Sequence, residues 1–193
     1  FLLTYLLKRV DAVHPWLYDR CREVEAEPDG FLDLWGRFHY KSTIITYGGT
    51  IQEIIKDPEI TVGFFGHNRA VPKAFLSQIK VEFEQNALLK HIYSDVLWAN
   101  PAREAQKWSL DDGIVVKRQT NPAEATLEAW GLVDGQPVGK HFSLLVFDDT
   151  VTRDSVNTPD QILKTTESWE HAQFLSRSTA RIWHIGTRYN YAD

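Results

Sequence analysis

The chain has 193 residues, of which 43% are hydrophobic, a formal net charge of −5 and one cysteine. This length fits one domain of ordinary size, and one cysteine excludes an internal disulfide and a thiolate metal site. The negative charge argues against a protein that grips nucleic acid statically through a basic face. We also expect no membrane role, because the apolar opening FLLTYLLKRV becomes charged at Lys8 and Arg9 and is too short to span a bilayer.

The first half of the chain alternates between helical and strand patterns. The predicted elements are helices within 1–28, a short strand at 31–35, a helix over 41–57, a buried strand at 60–65 and a long amphipathic helix over 68–93. Two adjacent glycines, Gly48 and Gly49, weaken the helix expected over 41–57.

The second half is richer in β-branched and aromatic residues. The predicted elements are strands at 113–118, 125–133 and 142–149, a helix over 158–175 and a last strand at 180–189. Apolar strands that alternate with amphipathic helices predict an α/β fold, with a mostly parallel sheet and helices on both of its faces.

The stretch DLWGRFHYKSTIITYGG (33–49) partly matches a phosphate-binding loop. That loop usually reads G-x-x-x-x-G-K-[ST], whereas Trp35 and Tyr40 stand at its two glycine positions. Lys41 and Ser42 supply the lysine and the magnesium-binding hydroxyl, and Arg37 adds a second cation that can bind phosphate oxygens bidentately. Alone, this pattern also fits a strand, a turn and a helix with a solvated lysine.

Two later strand ends carry polar groups as well. The run SLLVFDD ends in Asp148 and Asp149, which suit a Walker B strand whose first acid holds Mg²⁺, directly or through water, and whose second acid polarises the attacking water. HIGTRY ends the last strand, where Thr187 would face the same crevice, because ligands of open α/β sheets bind at the carboxyl ends of strands. The combination is more specific than each motif alone.

Four segments in this order and spacing, GRFHYKSTI, VGFFGHNRAVPKAFLSQIKVEFEQN, GKHFSLLVFDDTV and HIGTRY, resemble the ATPase domain of a bacteriophage large terminase, the DNA-packaging motor. The resemblance covers roughly residues 30–193. It implies a RecA-like P-loop fold that spans 31–193 after a helical segment at 1–30, ATP and Mg²⁺ as cofactors, and hydrolysis that drives double-stranded DNA into a procapsid. It further implies a portal, a small terminase subunit and neighbouring copies in a ring as partners, in the host cell cytoplasm.

The resemblance also assigns the site. The nucleotide-binding loop would comprise Arg37, Phe38, His39, Tyr40, Lys41, Ser42 and Thr43. Arg37, Lys41 and Asp149 would be catalytic, while Ser42 and Asp148 would hold the metal. The coupling motif, which links hydrolysis to movement, would be Gly186, Thr187 and Arg188.

The sequence departs from this family in two respects. Asp149 stands where many such motors carry glutamate, which is longer by one methylene. We also expect the chain to be a fragment, or to lack modified methionines, since it starts at Phe1 and contains no methionine. The resemblance implies a C-terminal nuclease domain as well, and we expect it to be absent because nothing after HIGTRYNYAD could form it. Candidates for a cation that reaches a neighbouring subunit's phosphate are Lys140, Arg153 and Arg118.

Two other functions remain open at this point. One is a helicase-like P-loop ATPase that acts on nucleic acid without a capsid. The other is a non-catalytic nucleotide-binding assembly module, in which the missing glycines and the aspartate in place of glutamate at Asp149 mark a lost activity. Arg69, Lys73 and Lys80 form either a surface for DNA or a neighbouring subunit, or a solvated helix face.

Overall fold

The structure of the protein, a computed structural model, describes residues 1–27, 29–36 and 38–187. For Phe31 it describes the backbone only. The chain begins with three short helical pieces, as predicted for 1–28. They are a π-helix at Leu2–Leu6, a 3₁₀ turn at Val10–Ala12 and helix α1 at Pro15–Ala26. His14 precedes α1, and its ring accepts a hydrogen bond from the Trp16 amide, which caps the helix.

The next helical segment follows strand β1 (Phe31–Leu34) and confirms the helix predicted over 41–57. Wide π-type turns run through Thr43–Gly49 and lead into α2 (Thr50–Lys56). Gly49 allows this segment to pack closely on the sheet, because a Cβ there would lie 3.3 Å from the Trp183 ring.

The remaining helical elements of the described residues are α3 (Ala70–Gln85), α4 (Ala87–Ile92), α5 (Pro101–Glu104), a 3₁₀ turn at Asp154–Val156 and α6 (Pro159–Gln173). The single helix predicted over 68–93 is wrong, because Asn86 adopts an extended conformation (ψ 93°) between α3 and α4.

Within the described residues, seven strands form one sheet. After β1 they are β2 (Val62–Gly66), β3 (Trp108–Ser109), β4 (Gly113–Ile114), β5 (Leu127–Gly131), β6 (Phe142–Asp148) and β7 (Ser176–Gly186). Their order is β1-β7-β6-β2-β5-β4-β3. The first five are parallel to one another, β4 is antiparallel to β5, and β3 is antiparallel to β4. The prediction of a mostly parallel α/β sheet is confirmed, but the strand predicted at 113–118 is shorter and ends at Ile114.

Alternate residues of β6 enter two apolar clusters on opposite faces of the sheet. Leu144 and Val146 belong to the larger cluster, with side chains of Thr43–Gly49, α2 and α3. Leu145 and Phe147 belong to the smaller one, which includes Ala172 of α6. Helices therefore cover both faces, as the period of two in a strand requires when neither face meets water.

The register places three strand ends at one edge of the sheet. Asp148 of β6 lies beside Ile185 of β7, and Leu34 of β1 lies beside Gly186. The segments that follow these strands therefore start close together. In the described ranges, no helix is both long enough and apolar enough to cross a membrane.

Candidate functional site

The loop after β1 holds non-glycine residues in the left-handed region of backbone space. Phe38 has φ +65° and Tyr40 has φ +63°. Tyr40 occupies the second glycine position of the phosphate-loop pattern, so the tyrosine adopts a conformation that glycine would adopt without strain. Arg37 lies outside the described residues, and its predicted role stays a prediction.

Lys41 connects three parts of the chain that are far apart in sequence. Its ammonium is almost buried, lies 3.2 Å from Asp149 Oδ1, and donates a hydrogen bond of 2.9 Å to Thr187 Oγ1. The lysine of the first predicted motif thus contacts a residue from each of the other two. This meeting of three strand ends is the arrangement expected from the sequence.

Asp148 lies beside Lys41, with 4% of its surface exposed. Two hydroxyls from the segment after the loop donate hydrogen bonds to it: Ser42 to Oδ1 at 3.2 Å and Thr46 to Oδ2 at 2.6 Å. Burial raises the pKa of the Asp148 carboxyl to about 6, although these hydrogen bonds and Lys41 act in the opposite direction.

Thr46 was not among the predicted site residues. It follows Ser42 by four positions, and residues with this spacing lie on one side of a helix. That spacing is the only signal in the sequence that could have identified it.

Asp149 turns the chain sharply out of β6. Its φ is +46°, and its amide donates a hydrogen bond of 2.9 Å to the carbonyl of Ile185. The side chain is 42% exposed, so water can reach the carboxylate that Lys41 contacts. An accessible carboxylate suits a group that would activate water.

A cavity of about 370 Å³ lies at this site. Its lining comprises Phe38, His39, Tyr40, Lys41, Ser42, Thr43, Asp149 and Thr187. Each of the eight was predicted to bind nucleotide, to catalyse or to couple. Gly186 ends β7 just before Thr187 but is not part of this lining, and Arg188 lies outside the described residues.

The oxygen atoms at this site are suitable ligands for Mg²⁺. A carboxylate oxygen of Asp148 and the hydroxyl of Ser42 lie 3.2 Å apart, and both are hard donors. Within the described part of the chain, no group of three or more His, Cys, Asp or Glu side chains could hold a metal ion. A cation here would need further ligands from water and phosphate, which is how proteins commonly bind Mg²⁺.

Two of the three cations proposed to act on a neighbouring subunit make bonds within their own chain. Lys140 contacts both carboxylate oxygens of Glu128 at 2.6 Å, and Arg118 donates to the carbonyls of Pro122 and Glu124. Arg153 is exposed and lies four residues after Asp149. The contact with a neighbouring subunit stays a prediction for all three residues.

The basic residues of α3 and its start also make contacts within the chain. Arg69 donates to the carbonyls of Ala129 and Asp111, Lys73 pairs with Asp111 at 2.6 Å, and Lys80 pairs with Glu84 at 2.5 Å. These contacts favour the interpretation of this face as a solvated helix surface.

The chain matches no known protein-family model and no curated protein.

Proposed function

We propose that the protein is an ATPase that uses Mg²⁺, with a RecA-like P-loop fold, and that hydrolysis drives double-stranded DNA into a viral procapsid. The observation that carries the ATPase proposal is the contact of Lys41 with Asp149 and Thr187, beside the Ser42–Asp148 pair. A lysine, a hydroxyl and two acids at the carboxyl edge of a parallel sheet are the groups that phosphoryl transfer needs.

Each residue has a chemical role in this proposal. On ATP binding, the Lys41 ammonium would leave Asp149 and pair with the phosphate oxygens, whose charge it neutralises. The Asp149 carboxylate would then be free to accept a proton from the attacking water. Ser42 and Asp148 would hold Mg²⁺, which when bound neutralises charge on the phosphates. Thr187 would lose its Lys41 contact in the same movement and so respond to the nucleotide.

DNA packaging rests on a different argument, the order and spacing of the four terminase-like segments. A portal, a small terminase subunit, a ring of copies and the host cytoplasm belong to the same proposal. Stimulation of ATP hydrolysis by an empty procapsid would support it. Stimulation by DNA alone, with no effect of procapsid, would favour a helicase-like ATPase.

The first test is Mg²⁺-dependent phosphate release from ATP over a range of protein concentrations. We expect Lys41→Ala to reduce turnover at least 100-fold, since the charge that neutralises phosphate in the transition state is lost (each factor of ten is about 1.4 kcal/mol). Lys56→Ala, at an exposed position of α2, is the matched control and should keep wild-type turnover.

Asp149→Asn separates binding from chemistry in the same assay. It should bind ATP but release no phosphate, because the amide cannot accept the proton. Equal turnover of wild type and Lys41→Ala would contradict the ATPase proposal. ATP binding without phosphate release by wild type at every concentration would identify a nucleotide-binding module instead.

A further inference from the structure

The two oxygens of the Asp148 carboxylate have different surroundings. Oδ1 is 3.2 Å from the hydroxyl of Ser42, which lines the cavity. Oδ2 is 2.6 Å from the hydroxyl of Thr46, which is 1% exposed and is not part of the cavity lining. Asp148 itself is not part of the cavity lining, but Oδ1 contacts a residue that is, whereas Oδ2 contacts a residue of the interior.

The hydroxyl of Thr46 is held by its place in the core. It belongs to the π-type turns of Thr43–Gly49, and its neighbours Ile45 and Tyr47 are both buried in the larger apolar cluster. A β-branched side chain in a helix has few rotamers, so the hydroxyl loses little entropy when it binds Asp148. The bond is therefore rigid and shielded from water.

We propose that Thr46 is a positioning residue, which holds Oδ2 of Asp148 so that Oδ1 stays directed at the cation beside Ser42. This inference rests on the proposed function, because it concerns the Mg²⁺ of that same site. Ser42 Oγ and Asp148 Oδ1 would hold the cation, and their mutual hydrogen bond would then be lost. The Thr46 bond would remain as the main constraint on the orientation of the carboxylate.

A residue that positions a metal ligand, as Thr46 would, mainly affects the affinity for the metal. Groups that orient a metal ligand by hydrogen bonding typically change metal affinity roughly 10- to 100-fold when they are removed. If the Thr46–Asp148 hydrogen bond only joined the helical segment to β6, its removal would lower thermal stability. The Mg²⁺ concentration needed for binding would stay unchanged. Metal dependence and stability therefore distinguish the two roles.

The experiment measures the binding of a fluorescent ATP analogue, first in EDTA and then over a Mg²⁺ titration. Thr46→Val removes the hydroxyl at nearly constant volume, and Thr46→Ser keeps it. We expect equal affinities in EDTA for all three proteins. The Mg²⁺ midpoint should rise roughly 10- to 100-fold in Thr46→Val and return to within about threefold of wild type in Thr46→Ser. Thr46→Ala serves as a second hydroxyl-free variant if the valine does not fold.

Two results would overturn the inference, and they differ from a failure of the proposed function. One is a Mg²⁺ midpoint in the hydroxyl-free variant that equals the wild-type value. The other is an equal shift of the Mg²⁺ midpoint in Thr46→Val and Thr46→Ser. If Mg²⁺ does not strengthen analogue binding to wild type at all, the proposed function itself is wrong, and the role of Thr46 falls with it.

Discussion

The buried carboxyl of Asp148 shows how one site residue affects the stability of the whole fold. Its pKa rises from 3.8 in the unfolded chain to about 6 in the folded protein, chiefly because of burial. A group with a raised pKa binds its proton more tightly when folded, so protonation favours folding. The ionised form therefore destabilises the metal-free protein above about pH 6, and this cost disappears as the pH falls towards 3.8.

We predict that Asp148→Asn stabilises the metal-free protein at pH 7.5. The gain in the free energy of unfolding should be about 2 to 3 kcal/mol, from a pKa shift of about two units. The gain should shrink steadily between about pH 6 and pH 4, where the wild-type carboxyl becomes protonated. Urea unfolding at a series of pH values measures it, with Asp95→Asn, at an exposed position, as the control. A loss of stability that does not depend on pH would contradict this argument.

The site residues that the sequence predicts are those that belong to contiguous motifs. Lys41, Ser42, Asp149 and Thr187 follow strands and Asp148 ends one, and parallel strands bring such places together. Thr46 belongs to no motif. Its contact depends on how the helical segment packs on β6, and sequence patterns do not specify that packing.

At the scale of elements, Asn86 decides where one helix ends and another begins. The apolar spacing over 68–93 continues through this position, so periodicity alone predicts an unbroken helix. The Asn86 side chain instead accepts a hydrogen bond from the Leu89 amide at 3.0 Å and donates to the Leu6 carbonyl at 2.7 Å. An asparagine that bonds to backbone groups competes with the helix, and here one of those groups lies 80 residues away.

We predict that Asn86→Ala lowers the free energy of unfolding by about 2 kcal/mol. About half comes from the lost cap of α4 and about half from the unpaired Leu6 carbonyl. Asn86→Ser keeps a capping oxygen and should lose only about half as much. Chemical denaturation of the three proteins tests this order, and equal losses in both variants would show that the cap contributes nothing.

The segment 113–118 shows a second limit of local patterns. Its β-branched residues favour a strand, yet the ladder ends at Ile114. The Val116 amide donates to the Thr126 hydroxyl at 3.2 Å, and the Lys117 amide donates to the Val96 carbonyl at 2.9 Å. Buried backbone groups need partners, but these partners come from a side chain and a loop, which periodicity cannot reveal.

For the molecule as a whole, different polar groups lie at the two ends of the parallel strands. The candidate site occupies the carboxyl edge. Before β6, at the opposite edge, Lys140 binds Glu128, whose side chain is only 2% exposed. The seven residues of β6 separate these edges by roughly 20 Å. We expect an ion pair with a buried acid at this distance from the cavity to affect folding but not the binding of a nucleotide.

We predict that substitutions at the two edges have opposite effects on stability and on ligand-induced stabilisation. Lys140→Ala should lower the free energy of unfolding by about 3 kcal/mol, because it leaves the Glu128 carboxylate buried without its cation. It should keep the stabilisation of about 2.7 kcal/mol that ATP and Mg²⁺ give at 100 times their Kd. Lys41→Ala should leave the free energy of unfolding nearly unchanged, because the half-exposed Asp149 carboxylate loses little when it is unpaired. It should lose the stabilisation by ATP and Mg²⁺, because the phosphates no longer have their cation. Thermal melts with and without ATP and Mg²⁺ measure both quantities. Loss of the nucleotide-induced shift in Lys140→Ala would mean that the sheet couples its two edges, and that the amino edge takes part in binding.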